Sequence, residues 1–440
     1  MSDVPTSTKS LPDWWQREKQ RRQTWILICL TFVLALIGYF YWVNSYGLIG
    51  HQPGITFDSA NHISFVHLDD KGNPTLYAIR ADGSGIQTLT PDTDKSSKQD
   101  PIWTSDGKNL IFASNNNPNQ VMQLYIMGSG SPRQMTYGTG NKFAPTLSPD
   151  GKHIAFLTQG AVKTVLTNGE QVDQVMPPPR AGHADGEQEE GAHSDDLKGP
   201  YLWAGFSADG THLAAVQSLT SEENPGNLGD LTAGDQVLRV LVNGKNEFLD
   251  TGREVSACWE VEGKKLASSF SEYHLPAKEK IGNLAKAEFI SGIRVWTFDS
   301  GKPVPKVAFL AVDYTVEPRN IAWSPDGTQI AFESWEHKKG GEKSLMGIAV
   351  FDLSKNQSFV MNSPKDLVEF RKRMMVAATA NGKPQRPRWS PDGSRLLYEV
   401  VSPKGGRDLF VVNSDTTNQI SLTRDLGGDN SQAVWAPLKK

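Results

Sequence analysis

Cysteine is almost missing from this 440-residue chain: there are two, Cys29 and Cys258. Two cysteines cannot build a disulfide framework, and no C-x-x-C pair occurs. Cys29 falls in an apolar segment. Cys258 stands alone on an expected strand, where a buried thiol is the expected state. There is no G-x-S-x-G elbow, no H-E-x-x-H and no P-loop, so the sequence offers no serine-hydrolase, zincin or nucleotide-phosphate signature. No basic stretch interleaves with aromatics, which argues against nucleic acid as a partner. Net charge is only −4. The first 23 residues hold five Lys/Arg and three Asp/Glu, so a slightly basic start precedes a slightly acidic remainder. Long hydrophobic runs are also missing, with one exception at 24–43.

What the chain does have is one phrase, repeated. It reads WSPDGTQIAF at 323–332 and WSPDGSRLLY at 389–398, and recurs as WTSDGKNLIF (103–112), LSPDGKHIAF (147–156) and FSADGTHLAA (206–215). Degraded copies are FDSANHISF (57–65) and WEVEGKKLAS (259–268), and VWAPLK begins at Val434. Each copy has a physical reading. A residue such as Trp323 ends a strand. Pro325, Asp326 and Gly327 then make a tight turn, since proline presets φ, aspartate bonds nearby backbone and glycine accepts positive φ. Alternation through Ile330 and Phe332 starts the next strand. A second strand pair follows at 75–90, 123–136, 347–361 and 408–423. Four short strands cannot bury both faces alone, so the units are expected to stack radially into a β-propeller.

The WSPDG…IAF phrase, followed by LYxM and Q-L/M-T, resembles the TolB-type β-propeller repeat over most of 55–440. The resemblance implies an all-β fold of four-stranded antiparallel blades. It carries no activity and no partner with it. The separate α/β domain that precedes the propeller in TolB has no counterpart expected here. Seven turn positions predict seven blades, with six as the alternative if the first, degenerate unit is not a blade. Ala433–Pro437 is expected to pair into the first blade and close the ring, with Ile55–Phe57 either sharing that blade or acting as linker.

Residues 24–43 contain no charge and are long enough to span a bilayer as one helix. Trp25 lies at one end and Tyr39, Tyr41 and Trp42 at the other, as an interfacial belt would. Arg17, Lys19, Arg21 and Arg22 precede the run, and no Lys or Arg follows it through residue 54. The expectation is a cytoplasmic basic tail (1–23), a transmembrane signal-anchor helix (24–43), a linker (44–54), and a propeller (55–440) on the periplasmic or extracellular side of the inner (plasma) membrane. The bulky aromatic end is unlike the small-residue site of a cleaved signal peptide.

Three insertions stretch the repeat. The first, 177–200, offers His183, Asp185, Glu187, Glu190, His193, Asp195 and Asp196, but in no known metal spacing; a solvated loop is the expected state. In the second, 271–292, Ile281, Leu284, Ala285 and Phe289 suit a short helix or a loop. The third, 363–382, predicts a helix with Ser363 as N-cap, Pro364 in the first turn and Asp366 at the positive end. Leu367, Phe370, Met374 and Met375 form its apolar stripe, beside Arg371, Lys372 and Arg373. Asn381-Gly382 is its expected stop. The stripe reads as core-facing, with partner docking as the other use.

No catalytic, cofactor or metal residue is assigned, and no cofactor is expected. Glu222 and Glu223 sit in an expected loop. The repeated Asp106, Asp150, Asp209, Asp326 and Asp392 are explained by their turns. His62, His153 and His212 fall beside repeat turns. Outside the repeat slot and the membrane flanks only Trp203, Trp296 and Trp335 remain, too few for a sugar platform. Asn356-Gln357-Ser358 is a lone glycosylation sequon. The expected function is non-enzymatic: a scaffold or accessory subunit that binds other membrane or envelope proteins. A ligand- or metal-binding sensor, or a propeller-type polysaccharide lyase or hydrolase, are the alternatives.

Overall fold

The repeated turn is a closed hydrogen-bond unit. Ser324 Oγ donates to Asp326 Oδ1 (2.6 Å) and accepts from the Gln329 N–H (2.9 Å), while Asp326 Oδ1 accepts from the Thr328 N–H (3.0 Å). The Gly327 N–H returns to Ser324 O, with φ at 70°. The same side-chain link joins Thr104 to Asp106, Ser148 to Asp150, Ser207 to Asp209 and Ser390 to Asp392. Each turn thus satisfies its own backbone and reverses the chain between two strands.

The computed structural model describes residues 62–91, 93–128, 130–176, 200–218, 236–242, 245–248, 254–261, 264–272, 290–298, 303–312, 316–337, 343–355, 359–361, 363–378, 382–403 and 405–438. The tail, anchor, linker and Ile55–Phe57 lie outside them, as do nearly all of the first insertion and most of the second. Among the described residues no helix is long and apolar enough to cross a membrane.

The strands make seven antiparallel blades. Blade 1 holds β1 (His62–Leu68), β2 (Pro74–Arg80) and β3 (Gln87–Thr88). Blade 2 holds β4 (Lys98–Trp103), β5 (Leu110–Ser114), β6 (Gln123–Met127) and β7 (Arg133–Gln134). Blade 3 is β8 (Phe143–Leu147), β9 (His153–Thr158), β10 (Ala161–Leu166) and β11 (Val172–Met176). Blade 4 is β12 (Tyr201–Phe206), β13 (His212–Ser218), β14 (Gln236–Val242) and β15 (Lys245–Phe248). Blade 5 is β16 (Glu254–Trp259), β17 (Lys265–Glu272), β18 (Ile290–Thr297) and β19 (Val304–Val312). Blade 6 starts with β20 (Val316–Trp323), β21 (Gln329–His337) and β22 (Lys343–Asp352).

Past β22 the chain leaves its blade. β23 (Phe359–Met361) pairs parallel with β19, giving blade 5 a fifth strand. Helix α1 (Pro364–Met374) follows, and β24 (Met375–Ala378) returns to pair with β22 as the fourth strand of blade 6. Blade 7 is β25 (Lys383–Trp389), β26 (Arg395–Val401), β27 (Arg407–Asn413) and β28 (Ile420–Ser421). Finally β29 (Asp429–Trp435) pairs with β1 and supplies the innermost strand of blade 1, so the last strand closes the ring as expected.

Two sequence expectations change here. The 347–361 segment was expected to give two strands of one blade, but its second strand crosses to blade 5. The helix was expected to run to Asn381-Gly382 with Met375 on its stripe. It stops at Met374 because Met375–Ala378 is needed to cover β22. Its start agrees with the sequence: Ser363 caps it and Asp366 lies in the first turn.

Most of the apolar core lies between blades. The larger clusters straddle neighbours, as with Ile63 and Phe65 of blade 1 against Leu397, Leu409 and Val411 of blade 7, or Ile111 and Leu124 of blade 2 against Ile154 and Phe156 of blade 3, while a small cluster of Phe270, Ile290, Leu310 and Val312 lies within blade 5. The largest such cluster joins blades 5 and 6, where Phe370 of α1 stacks between Phe309 and Phe332 (ring centroids 5.8 and 6.3 Å). Phe370 is fully buried, whereas Val368 is 62% exposed. Phe370→Ala should therefore cost about 3–5 kcal/mol, and Val368→Ala no more than about 0.5 kcal/mol. Chemical denaturation of the purified protein, followed by tryptophan fluorescence, checks both; equal small effects would mean that the helix adds nothing to the core.

Candidate functional site at the central channel

The first strand of each blade lines the axis, where β4 touches β29 and β8, and β20 touches β16 and β25. Each of these inner strands is a sheet edge, so its outward backbone groups need partners from elsewhere. All seven carry a register shift against their neighbour. At the shift, φ turns positive at Asp100, Ala144, Asn320, Arg386 and Gln432. The exposed N–H is then caught by a side chain of the preceding blade. Glu333 Oε1 accepts from Arg386 N (2.8 Å), Glu399 Oε1 from Gln432 N (2.7 Å), Gln432 Oε1 from Asp100 N (2.6 Å), and Asp100 Oδ2 from Ala144 N (2.8 Å). Four consecutive blade junctions are tied in this way.

The slot tryptophans work from the other side. Trp259 Nε1 donates to Gly205 O (2.7 Å), Trp389 Nε1 to Ala322 O (3.1 Å) and Trp435 Nε1 to Arg388 O (3.2 Å), each a carbonyl of the preceding inner strand. Trp323 makes no such bond.

Charge gathers where blades 6, 7 and 1 meet. Glu399 is buried, and its Oε2 lies 3.6 Å from Arg386 and 3.5 Å from Arg407, a charge contact rather than a hydrogen bond. Arg407 Nε donates to Asp429 Oδ1 at 2.8 Å, and its Nη2 reaches Oδ2. This pairing holds Asp429 below the usual carboxylate range and raises Arg407. On blade 6, buried Glu317 is held by Arg319 and by Lys343 (3.0 Å), and the Arg319 guanidinium lies over the Trp335 ring (5.3 Å). Trp335 Nε1 and Asn320 Nδ2 both donate to Glu333. Arg388, on the inner strand β25, is exposed, and charged groups of more than one blade lie near it. The desolvation lowers its pKa, and nearby Glu399 opposes that shift.

The residues that the sequence singled out fall elsewhere. The turn aspartates are structural: at Asp209 burial is outweighed by hydrogen bonds from Ser207 and Thr211, which hold it at about 2, too acidic for general acid–base work near neutrality. His212 packs its ring against Phe298 (5.0 Å) and Trp259 (5.9 Å), and His153 is exposed. Cys258 is half-buried on β16, and desolvation pushes its thiol up. Trp296 is buried and donates to Ser268 Oγ (2.8 Å), and Trp203 packs against the core between blades 4 and 5. His183, Asp185, Glu187, Glu190, His193, Asp195 and Asp196 lie outside the described residues. Among the described residues no three His, Cys, Asp or Glu side chains are grouped to hold a metal ion.

Arg386, Arg388, Arg407, Glu333 and Glu399 were missed by the sequence reading. A signal did exist: aligning copies on the slot aromatic shows proline two places earlier, at Pro101, Pro145 and Pro387, and a charged residue beside it at Asp100, Arg386 and Arg388.

No family model matches the chain, and no curated protein matches it. Solved structures do resemble it. A puromycin-hydrolysing peptidase of Mycobacterium tuberculosis superposes with a TM-score of 0.52 at 15% identity, over 84% of this chain and 52% of that one. A prolyl endopeptidase gives 0.50 at 13% identity, over 82% and 48%. TolB from Acinetobacter baumannii gives 0.48 at 15% identity, over 87% and 68%. The chain thus spans about half the length of the two peptidases it resembles. Identities this low show the fold alone, a seven-bladed propeller with TolB among the similar structures.

The Arg407–Asp429 pair makes a pH prediction. Because the folded-state pKa of Asp429 is depressed, its contribution is complete above the unfolded value near 4 and is lost as pH falls through the lower folded value. Asp429→Asn should therefore lower Tm by a constant amount from about pH 5 to 8, and the gap should narrow as pH falls below the unfolded value near 4. Thermal melts of both proteins across pH measure this; a gap that persists at low pH would contradict it.

Proposed function

We propose that the chain is a membrane-anchored β-propeller, facing away from the cytoplasm, that acts as a protein–protein interaction scaffold or accessory subunit of an envelope or membrane complex. The uncharged run at 24–43 and the Lys/Arg asymmetry around it support the anchor and its orientation. The observation that carries the scaffold reading is the outer face of α1. Its inner stripe, Leu367, Phe370 and Met374, is spent on the core between blades 5 and 6. The opposite stripe, Lys365, Val368 and Lys372, stands in solvent at i, i+3 and i+7 spacing. Arg371 and Arg373 beside it are already paired with Glu336 (3.4 Å) and Glu369 (2.7 Å). Two lysines with no ion pair among the described residues, around an exposed valine, suit an acidic protein surface, and the buried stripe keeps that face rigid.

Full-length tagged protein purified in mild detergent should bring down a stoichiometric membrane or envelope partner identifiable by mass spectrometry. The double substitution Lys365→Glu and Lys372→Glu should release that partner without lowering Tm by more than a few degrees. A wild-type protein that purifies alone as a monomer overturns the scaffold reading. Retention of the partner by the double variant moves the contact off α1.

A further inference from the structure

Seven positions immediately precede the slot residue, which is aromatic in six blades and Leu147 in blade 3, and each pairs with the same register position of the second strand, as Arg388 does with Leu397 and Cys258 with Ala267. Six of them hold uncharged residues: Ile102, Thr146, Gly205, Cys258, Ala322 and Val434. The seventh is Arg388. Its charge is felt by Cys258 of blade 5 and Asp100 of blade 2 as well as by its own blade's Glu399 and Arg386. Only a group near the axis faces blades 2, 5 and 7 at once.

The acidic groups around it are already engaged. Glu399 accepts the Gln432 N–H and faces Arg386 and Arg407, Asp429 is forked by Arg407, and Asp100 accepts the Ala144 N–H. Among the described residues no hydrogen bond or ion pair holds the Arg388 guanidinium, which is exposed. A guanidinium presents five N–H donors in a planar fork that matches the two oxygens of a carboxylate or phosphate. Exposed at the axis and without a protein partner among the described residues, the fork is open to such a group. Arg386 is two residues away on the same strand, and its side chain is 44% exposed.

We propose that the channel is a binding site for a small oxyanion, a carboxylate or phosphate group clasped by the Arg388 fork, with Arg386 adding charge at its side. Binding needs no second protein, so it stands or falls separately from the scaffold reading.

The test uses purified full-length protein in detergent, titrated with inorganic phosphate and, in parallel, with succinate, each against sodium chloride of equal ionic strength. Isothermal calorimetry and thermal melts should both show saturable binding of at least one anion, and the arm that saturates says which oxyanion fits. Arg388→Gln should weaken that binding at least about tenfold, whereas Arg373→Gln on the solvent side of α1 should leave it unchanged. In anion-free buffer Arg388→Gln should leave Tm unchanged, because no hydrogen bond or ion pair within the protein is lost. That readout separates a ligand-binding arginine from a structural one, whose loss would lower Tm. If Arg388→Gln does not fold, Arg388→Lys keeps the charge without the fork and should still bind more weakly than wild type. No saturable binding of either anion up to about 10 mM, or equal binding by the Arg388 variants, overturns the proposal.

Discussion

A ring of seven sheets leaves seven strand edges facing one axis, and the rest of the structure answers that constraint. An inner strand bonds to its own blade on one side only. Its other edge would leave N–H and C=O groups without protein partners around a narrow channel. The chain meets the requirement with a shift in every inner strand, a side chain of the preceding blade on the turned-out N–H, and a tryptophan indole on the preceding carbonyl. These bonds run from blade to blade, so the backbone of one repeat is completed by the side chains of another. The larger apolar clusters follow the same rule, because they are shared between two neighbouring sheets.

This division of labour explains the chemistry of the channel. Glu333, Glu399, Asp100 and Gln432 look like an acidic and amide lining, but one oxygen of each is taken by a backbone N–H. Arg407 is spent on Asp429. What remains available is Arg388, with Arg386 at its edge. The charge that matters at the axis is thus decided by which groups the architecture has already used.

Blades 5 and 6 are joined differently from the others. The segment after β22 crosses to β19, turns through α1 and comes home as β24. Phe370 and Met374 fill the space between the two sheets, while Lys365, Val368 and Lys372 face solvent. An extra strand and a helix therefore brace one junction and present a rigid surface that no other junction has among the described residues.

The sequence by itself determined the repeat and its turns and favoured seven blades over six, because these depend on local chemistry. Asp326 bonds within its own turn, Gly327 takes positive φ there, and Ile330 and Phe332 alternate on one strand. Ser363, Pro364 and Asp366 announced the start of α1 for the same reason. Tertiary structure alone decided the rest. That β23 deserts its blade for β19, and that α1 ends at Met374 so that β24 can form, depends on which edges stood uncovered nearby. That Glu399 ties down Gln432, 33 residues away, while Arg388 has no partner among the described residues, depends on groups from several blades meeting at one axis. Proximity of that kind comes from closing the ring, and no spacing along the chain encodes it.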